Sequence, residues 1–551
     1  MNSSQNKRIL FVVYFFLLII VLIILRMFWL QVIRYDFFKD QSKAQQKRKI
    51  TIYPNRGDIR DRNGVLLASS SKAYSVYLDP RYKKKNPALV LKEMRDILGL
   101  SADKSEHLLA HNSYILVKTK VDKPTALKLT AKGFDLLPDS IRTYPGKRTA
   151  SQLIGFVGWD NDGKDGLEKA YDKTLAGKSG FMILESDLKG RVIFSDKKKI
   201  SPVKDGNHIE TTIDKYLQFI LEVALERGVE NVGARSASGV IMDVYTGEIY
   251  AMGSYPAFDP NDYSPDFIKD PTCFWNRAIF MDYEPGSVMK LFTIAAALEE
   301  GVIKDKDKIY SPNRLVVDNS VIEEAHDAQV DESLTKDVSE IIIKSLNVGA
   351  ATIGLNLGAE KLYKNFIKFG FGRRTGIELP GESPGSLRHF SNWYKVDLSR
   401  MAFGYGLTAT PLQLVRAVAV FANGGDLVQP YIIKGDKGKK EKILSKHTSA
   451  FMMEAMRRTV EEGTGVATRI DNFSIGGKTG TARLFSPEYN RYLYGQYNTT
   501  FLGVFPVAKP RFAMVIMVND PRRMKYAASS AVPIFKEVTE RAIRYLQLDP
   551  I

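Results

Sequence analysis

Ser287 and Lys290 stand three residues apart at the head of an apolar run, Asp282 to Gly301, and one helical turn puts both on the same face. A serine hydroxyl attacks an acyl carbon only when a neighbouring base takes its proton, and a desolvated lysine is neutral enough to do so. Helix N-terminal N–H groups would also point at Ser287. Ser-x-x-Lys occurs eight times in the chain, for example at Ser4/Lys7, Ser101/Lys104, Ser195/Lys198 and Ser333/Lys336, and only the pair at Ser287 opens an apolar helix. Two further groupings could complete such a site: Ser345-x-Asn347, and Lys478-Thr479-Gly480, which occurs once. Each is weak by itself. Ser345/Asn347 is equally a turn or cap pair, as Ser311/Asn313 illustrates, and Lys478-Thr479-Gly480 could be an exposed strand end.

The elements that would position these residues can be read from periodicity and punctuation. Pro285 and Gly286 break the preceding segment, Leu291, Ile294, Ala295 and Leu298 recur at helical spacing, and Gly301 is a C-terminal stop. Thr212 or Asp214 can cap a helix from Lys215 to about Gly228. Ser238 to Met252 is two apolar runs around Thr246-Gly247, a hairpin of a central sheet. Ile341 to Gly349 leads into a small-residue helix; Pro411 to Ala422 is an apolar helix ended by Asn423-Gly424-Gly425. A long helix from Lys446 to about Glu462 precedes Gly476 to Ala482, and strands Phe501–Phe505 and Phe512–Val518 and a helix from Val532 to about Leu546 close the chain. The run Phe403 to Gly406 reads as a loop shaping a cleft.

A chain of 551 residues exceeds one core, since cores stop growing at about 250 to 300 residues. With 44% hydrophobic and 26% charged residues, the composition is globular and not disordered. The net charge of +17 is spread out, with modest clusters at Lys83–Lys85 and Lys197–Lys199, so we expect a basic solvated surface and no nucleic-acid partner. One cysteine, Cys273, excludes an intrachain disulfide, and six histidines without ligand spacing predict no metal. Ile9 to Leu25 is free of charge and the apolar run resumes from Met27 to Leu30, long enough to span a bilayer. No small-x-small cleavage site follows, so a retained anchor is expected over 9–30. Beyond it, 31 to about 50 reads as a polar helix. Asn63-Gly64 suits a tight turn, Tyr74 to Leu78 a strand, and Pro87–Leu98, Lys123–Lys132 and Gly166–Asp172 helices. The polar stretch Lys197 to Asn207, carrying Pro202 and Gly206, marks a boundary.

The three motifs in this order, Ser287-x-x-Lys290, Ser345-x-Asn347 and Lys478-Thr479-Gly480, resemble the penicillin-recognising serine acyltransferases. The stretches Arg56–Gly64, Arg142–Gly158, Phe403–Gly425 and Thr500–Pro506 narrow the resemblance to class B penicillin-binding proteins, the monofunctional peptidoglycan D,D-transpeptidases, over nearly all the chain. Val76-Tyr77-Leu78-Asp79-Pro80 and the modest pedestal are more similar to the septal, cell-division type than to the elongation type. Departures are small: Val288-Met289 replaces a frequent Thr-Phe, and Leu346 a frequent Ser.

The resemblance implies an α/β (α+β) transpeptidase domain over 208–551, with a five-stranded antiparallel sheet flanked by helices. An elongated α+β pedestal would occupy 31–207, after a transmembrane helix over 9–30 and a cytoplasmic N-terminus over 1–8. It makes Ser287 the nucleophile, Lys290 its general base, Ser345 a proton shuttle and Asn347 a clamp on Lys290 and the substrate amide. Lys478, Thr479 and Thr481 would hold the substrate carboxylate, Gly480 would admit the ligand closely, and the backbone N–H groups of Ser287 and Thr481 would form the oxyanion hole. The implied partners are D-Ala-D-Ala stem peptides, β-lactams, the inner membrane, a membrane glycosyltransferase and division proteins, with no cofactor and the catalytic domain outside the cytoplasm. The competing readings are an elongation transpeptidase, a β-lactamase or D,D-carboxypeptidase, a β-lactam sensor and a non-enzymatic division scaffold.

Overall fold

The computed structural model describes residues 3–78, 80–111, 115–130, 132–186, 192–193, 199–262, 270–324, 333–486 and 488–550. Asp79 of the Val76–Pro80 segment, Ala131, and residues 197 and 198 at the head of the Lys197–Asn207 stretch lie outside them. The chain divides into two compact units: 1–56, 70–141 and 177–206 form one, and 57–69, 142–176 and 207–551 the other.

In the first unit a helix spans Ser3–Phe28 and passes through a π-helical turn, Trp29–Ile33, into a second helix, Tyr35–Gln46. The apolar side chains between Ile9 and Leu25 are exposed nearly all round the first helix, which is long and apolar enough to cross a membrane. The polar helix expected from 31 to about 50 ends at Gln46 and gives way to the strand Lys47–Ile52, which pairs antiparallel with Gly180–Ser186. Further on, the helices Pro87–Asp96, Ala102–Ala110 and Lys123–Thr130 share a small core with strand residues, built on Val76, Leu78, Val90, Met94, Val121, Leu129 and Phe134.

The second unit is organised around one sheet. Its framework in chain order is α1 (Lys215–Val232), β1 (Ser236–Asp243), β2 (Ile249–Tyr255), α2 (Met289–Glu299), α3 (Asn347–Leu357), α4 (Pro411–Ala422), α5 (Lys446–Glu462), β3 (Gly476–Ser486), β4 (Arg491–Phe505), β5 (Phe512–Asn519) and α6 (Ala531–Leu546). The sheet runs β2-β1-β5-β4-β3 and every neighbouring pair is antiparallel. Strand β5 is buried along its whole length. Its alternate residues Met514, Ile516 and Val518 face one core with α1 and α6, while Ala513, Val515 and Met517 face another with α2, α4 and α5. Both faces are therefore covered, and each fully buried side chain of this size contributes about 1.5–3 kcal/mol.

Local chemistry sets the helix ends. Asp214 caps α1, its Oδ1 accepting from the N–H groups of Tyr216 and Leu217 at 3.0 and 3.1 Å. The helix runs past the expected stop at Gly228 to Val232, where Gly233 takes a left-handed φ of 63°. Gly228 serves packing instead: a Cβ there would sit 2.3 Å from the Ile534 side chain of α6. Thr410 and Gln413 form a reciprocal capping box on α4, with Pro411 at its first position.

The second unit also takes in two stretches that precede residue 208. Arg142 and Glu168 form a buried ion pair, Nε to Oε1 at 2.7 Å, and Arg142 Nη1 donates to the Gly57 carbonyl at 2.9 Å. The Asn261 side chain bonds both backbone groups of Tyr144. These polar ties, with Leu153, Ile154 and Leu167 in the main core, hold 142–176 to this unit.

Candidate active site

Ser287 is half-buried and sits on a 3₁₀ turn, Gly286–Val288, that continues into α2. The expected helix is there, but the serine stands just ahead of its α-helical part and not on its first turn. The cause is Gly286, whose φ of 60° belongs to the left-handed region and lets the chain enter the helix abruptly. The Gly286 N–H donates to the Gly404 carbonyl at 3.1 Å, and Gly404 itself has φ 92°. A Cβ on Gly404 would lie 2.1 Å from the Gly286 oxygen, so the 403–406 loop supports the serine turn from behind.

Lys290, one turn into the cleft, is completely buried. Its Nζ donates to the Ser345 carbonyl at 2.5 Å and to Asn347 Oδ1 at 2.7 Å, and lies 3.3 Å from Ser345 Oγ. Burial pulls the ammonium down to about 7, against an opposing pull from the Glu324 carboxylate. The two shortest contacts are to oxygens that can only accept. They occupy the two N–H groups of a neutral amine and leave its lone pair for a hydroxyl.

Ser345 adopts a left-handed φ of 60°, unusual for a residue with a Cβ, and this bend separates the helix Val338–Ile343 from α3. Leu346, wholly buried, pins the connection. Asn347 opens α3 with its Nδ2 on the Glu323 carbonyl at 3.1 Å, which turns its Oδ1 toward Lys290.

Strand β3 forms the opposite wall and is the edge of the sheet. Lys478 is fully buried, in register with Leu502; burial and then repulsion from Lys290 hold its ammonium well below the usual lysine range. The Thr479 hydroxyl pairs with that of Thr464 at 2.8 Å. Thr481 Oγ1 accepts from the Ala527 N–H at 3.2 Å, leaving its own proton to donate. At Gly480 a Cβ would come within 2.7 Å of the Pro285 oxygen, and at Gly286 one would meet Ala482 Cβ and the Thr481 oxygen at 3.2 and 3.3 Å. The serine turn thus rests directly on residues 480–482.

All eight residues singled out from sequence therefore lie on elements that meet in one place. Lys290, Ser345 and Asn347 are hydrogen-bonded together, Lys478 is within electrostatic reach of Lys290, and the segment from Thr479 to Thr481 abuts the Ser287 turn. Sequence reasoning missed Glu324, Thr464 and Glu284. Glu324 takes the first two N–H groups of α3, and Glu284 Oε1 accepts from Gly406 N at 2.7 Å and Tyr492 Oη at 3.0 Å. Glu284 lay inside the stretch read as central. Nothing local marks Glu324, more than twenty residues before its partners. Among the described residues no three His, Cys, Asp or Glu side chains gather as a metal ligand set.

Residues 237–540 match the penicillin-binding-protein transpeptidase domain family, and residues 51–211 the penicillin-binding-protein dimerisation domain family. The chain is 32% identical to stage V sporulation protein D of Bacillus subtilis (strain 168), over 100% of this chain and 87% of that protein. It is 29% identical to peptidoglycan D,D-transpeptidase FtsI of Escherichia coli (strain K12), over 95% and 89%. Its fold is similar to the crystal structure of penicillin-binding protein 2X from Streptococcus thermophilus, with a TM-score of 0.75 at 23% identity over 90% of this chain and 80% of that one. With both domain families matched in order and a relative of this identity covering its full length, the chain belongs to the class B penicillin-binding proteins.

Proposed function

We propose that this protein is a peptidoglycan D,D-transpeptidase working through a Ser287 acyl-enzyme. The observation that carries the proposal is the dry Lys290 amine, poised near neutrality, held by Ser345 and Asn347 one helical turn from a serine whose backbone rests on β3. Neutral Lys290 takes the Ser287 proton as Oγ attacks the penultimate D-Ala carbonyl. The oxyanion lies between the backbone N–H groups of Ser287 and Thr481, each such donor lowering the barrier by about 3 kcal/mol. Lys478, Thr479 and Thr481 hold the terminal carboxylate, and Gly480 keeps the strand bare enough for the peptide to lie along it. Ser345 passes the proton from Lys290 to the departing D-Ala amine, while Asn347 binds the substrate amide. An amine from a neighbouring stem then attacks the acyl-enzyme by the reverse path and forms the cross-link. A β-lactam, whose strained amide presents the same carbonyl and carboxylate, acylates Ser287 as well.

In this reading residues 9–30 anchor the chain in the cytoplasmic membrane, 1–8 stay inside, 31–207 form a non-catalytic pedestal and 208–551 carry out transpeptidation outside. The relative FtsI, a peptidoglycan D,D-transpeptidase by name, and the apolar N-terminal helix support it. We assign the work to septal wall synthesis, on the resemblance of the Val76–Pro80 segment, alongside a membrane glycosyltransferase that supplies the glycan strand.

The test uses the full chain in detergent with a fluorescent penicillin and mapping of the adduct. The expected label is on Ser287 and is absent from Ser287→Ala; a label elsewhere refutes the site. A tetrapeptide cross-link formed from a donor stem and an amine acceptor separates transpeptidation from hydrolysis to the free acid. In cells, depletion should give undivided filaments, and rounded cells would reassign the enzyme to elongation.

A further inference from the structure

The geometry around Lys290 depends on Asn347, and Asn347 is itself held from outside the three motifs. Helix α3 begins at Asn347, and its first two N–H groups go to the two oxygens of one side chain. Asn347 N donates to Glu324 Oε2 at 2.5 Å and Val348 N to Glu324 Oε1 at 2.9 Å. The carbonyl next to it, Glu323, takes Asn347 Nδ2 at 3.1 Å. Three bonds from two consecutive residues therefore fix where α3 starts and which way the Asn347 amide faces. Because Nδ2 is committed to a carbonyl, Oδ1 must turn to Lys290 Nζ, 2.7 Å away.

The charges around the amine give Glu324 a second effect. Among the described residues the charge that acts on Lys290 is Glu324, of opposite sign, while Lys290 in turn acts on Lys478 of β3. The Ser345 and Asn347 groups that it bonds are neutral. Glu324 thus works against burial, in the direction that keeps the amine basic enough to pull a proton from a serine.

We propose that Glu324 is a positioning residue for the general base: its carboxylate seats the start of α3, aims Asn347 at Lys290, and adds a negative charge on that side of the amine. The proposal rests on the acylation chemistry assigned above to Ser287 and Lys290. It extends the site to a carboxylate outside the three motifs.

The test measures the rate of acylation of Ser287 by a fluorescent penicillin between pH 5.5 and 9, for the full chain and for Glu324→Gln and Glu324→Asp. Glu324→Gln keeps the shape and removes the charge, so the midpoint of the rising limb should fall by about 0.5–1 pH unit and the plateau by roughly tenfold. Glu324→Asp keeps the charge and draws the carboxylate back by one carbon, so its plateau should fall while its midpoint stays within about 0.2 unit of the parent. A helix cap with no bearing on the base would lower thermal stability and leave every midpoint in place. An unmoved midpoint in Glu324→Gln overturns the proposal. So does an unchanged plateau in Glu324→Asp, which decides the matter if Glu324→Gln does not fold. Failure of the parent chain to label at Ser287 would instead refute the acyl-enzyme reading, and the two failures are distinct.

Discussion

Gly404→Ala tests whether the serine turn is held in place by packing from two sides. The perturbation adds one carbon 2.1 Å from the Gly286 oxygen, where a carbon and a carbonyl oxygen need about 3.3 Å, so roughly 1.2 Å must be found. The turn cannot retreat to give it. On its far side Gly480 and Pro285 leave no space for even one added carbon, and Gly286 faces Ala482 and Thr481. The 403–406 loop must move, the Ser287 turn must move, or both must. A residue with a Cβ at φ 92° also carries about 1–2 kcal/mol of backbone strain, so the expected loss of stability is about 2–4 kcal/mol.

A displacement of about 1 Å at a nucleophile costs on the order of 100-fold in rate, which is the expected drop in penicillin acylation for Gly404→Ala. The assay pairs the acylation rate with a thermal melt, and Gly435→Ala serves as control. Gly435 has φ 96° and nothing within 4 Å of an added Cβ, so that variant should lose about 1–2 kcal/mol from strain alone and acylate at the parent rate. If Gly404→Ala loses stability yet acylates within about threefold of the parent, the loop does not fix the serine and the reasoning fails.

Three further outcomes are expected. Lys290 becomes neutral above about 7, so parent acylation should climb roughly tenfold between pH 6 and pH 8; Lys290→Arg, charged throughout, should abolish the limb, and a flat parent profile would count against a lysine base. Arg142→Ala removes the cation paired with the buried Glu168 carboxylate and should cost about 3–5 kcal/mol in denaturant unfolding, whereas Arg95→Ala, which breaks the exposed pair with Glu106, should cost under about 1 kcal/mol; equal losses would contradict the burial argument. Burial pushes the Glu222 carboxyl up to about 8, while Gln218 and the Ala150 N–H both bond its Oε1. The stability this group contributes as an acid is fully present below about 4.5 and lost as pH rises to 8, a change on the order of 5 kcal/mol; Glu222→Gln should be free of that loss, and parallel pH–stability curves would refute the assignment.

What sequence disclosed of this fold was whatever is decided locally. The apolar run Pro411 to Ala422 ended by Asn423-Gly424-Gly425 announces α4; Thr246-Gly247 between two apolar runs announces the β1–β2 hairpin; the continuous apolar run from Phe512 to Val518 announces a strand. Decisions made by distant contacts were not legible. Gly228 looks like a stop and is a contact surface for Ile534, which only the position of α6 explains. Arg142 and Tyr144 read as part of a pedestal, yet their partners Glu168 and Asn261 draw 142–176 into the second compact unit. Ser345 carries no sign of its left-handed backbone, since serine has no preference that would reveal it, and Glu324 carries none of its capping role. The motif residues were legible because their types must be right for the chemistry; the residues that aim them need only be in the right place.

The same packing that places Ser287 also sets the state of Lys290, so position and basicity cannot vary independently. The amine is near neutral because it is completely buried, and the serine turn one helical turn away lies on 480–482 with the 403–406 loop behind Gly286. Loosening any of these contacts moves the serine turn and hydrates the lysine, which raises its proton affinity and, in the proposed mechanism, weakens the base. Two fully buried lysines in one cleft are costly to the fold, because neither can be charged there without loss of hydration and both together repel. A sheet buried on both faces and helices capped at their ends supply the excess stability that lets such a site persist. Substitutions that relax the cleft should therefore lower the acylation rate and shift its pH midpoint upward together, a signature that simple loss of the nucleophile would not give.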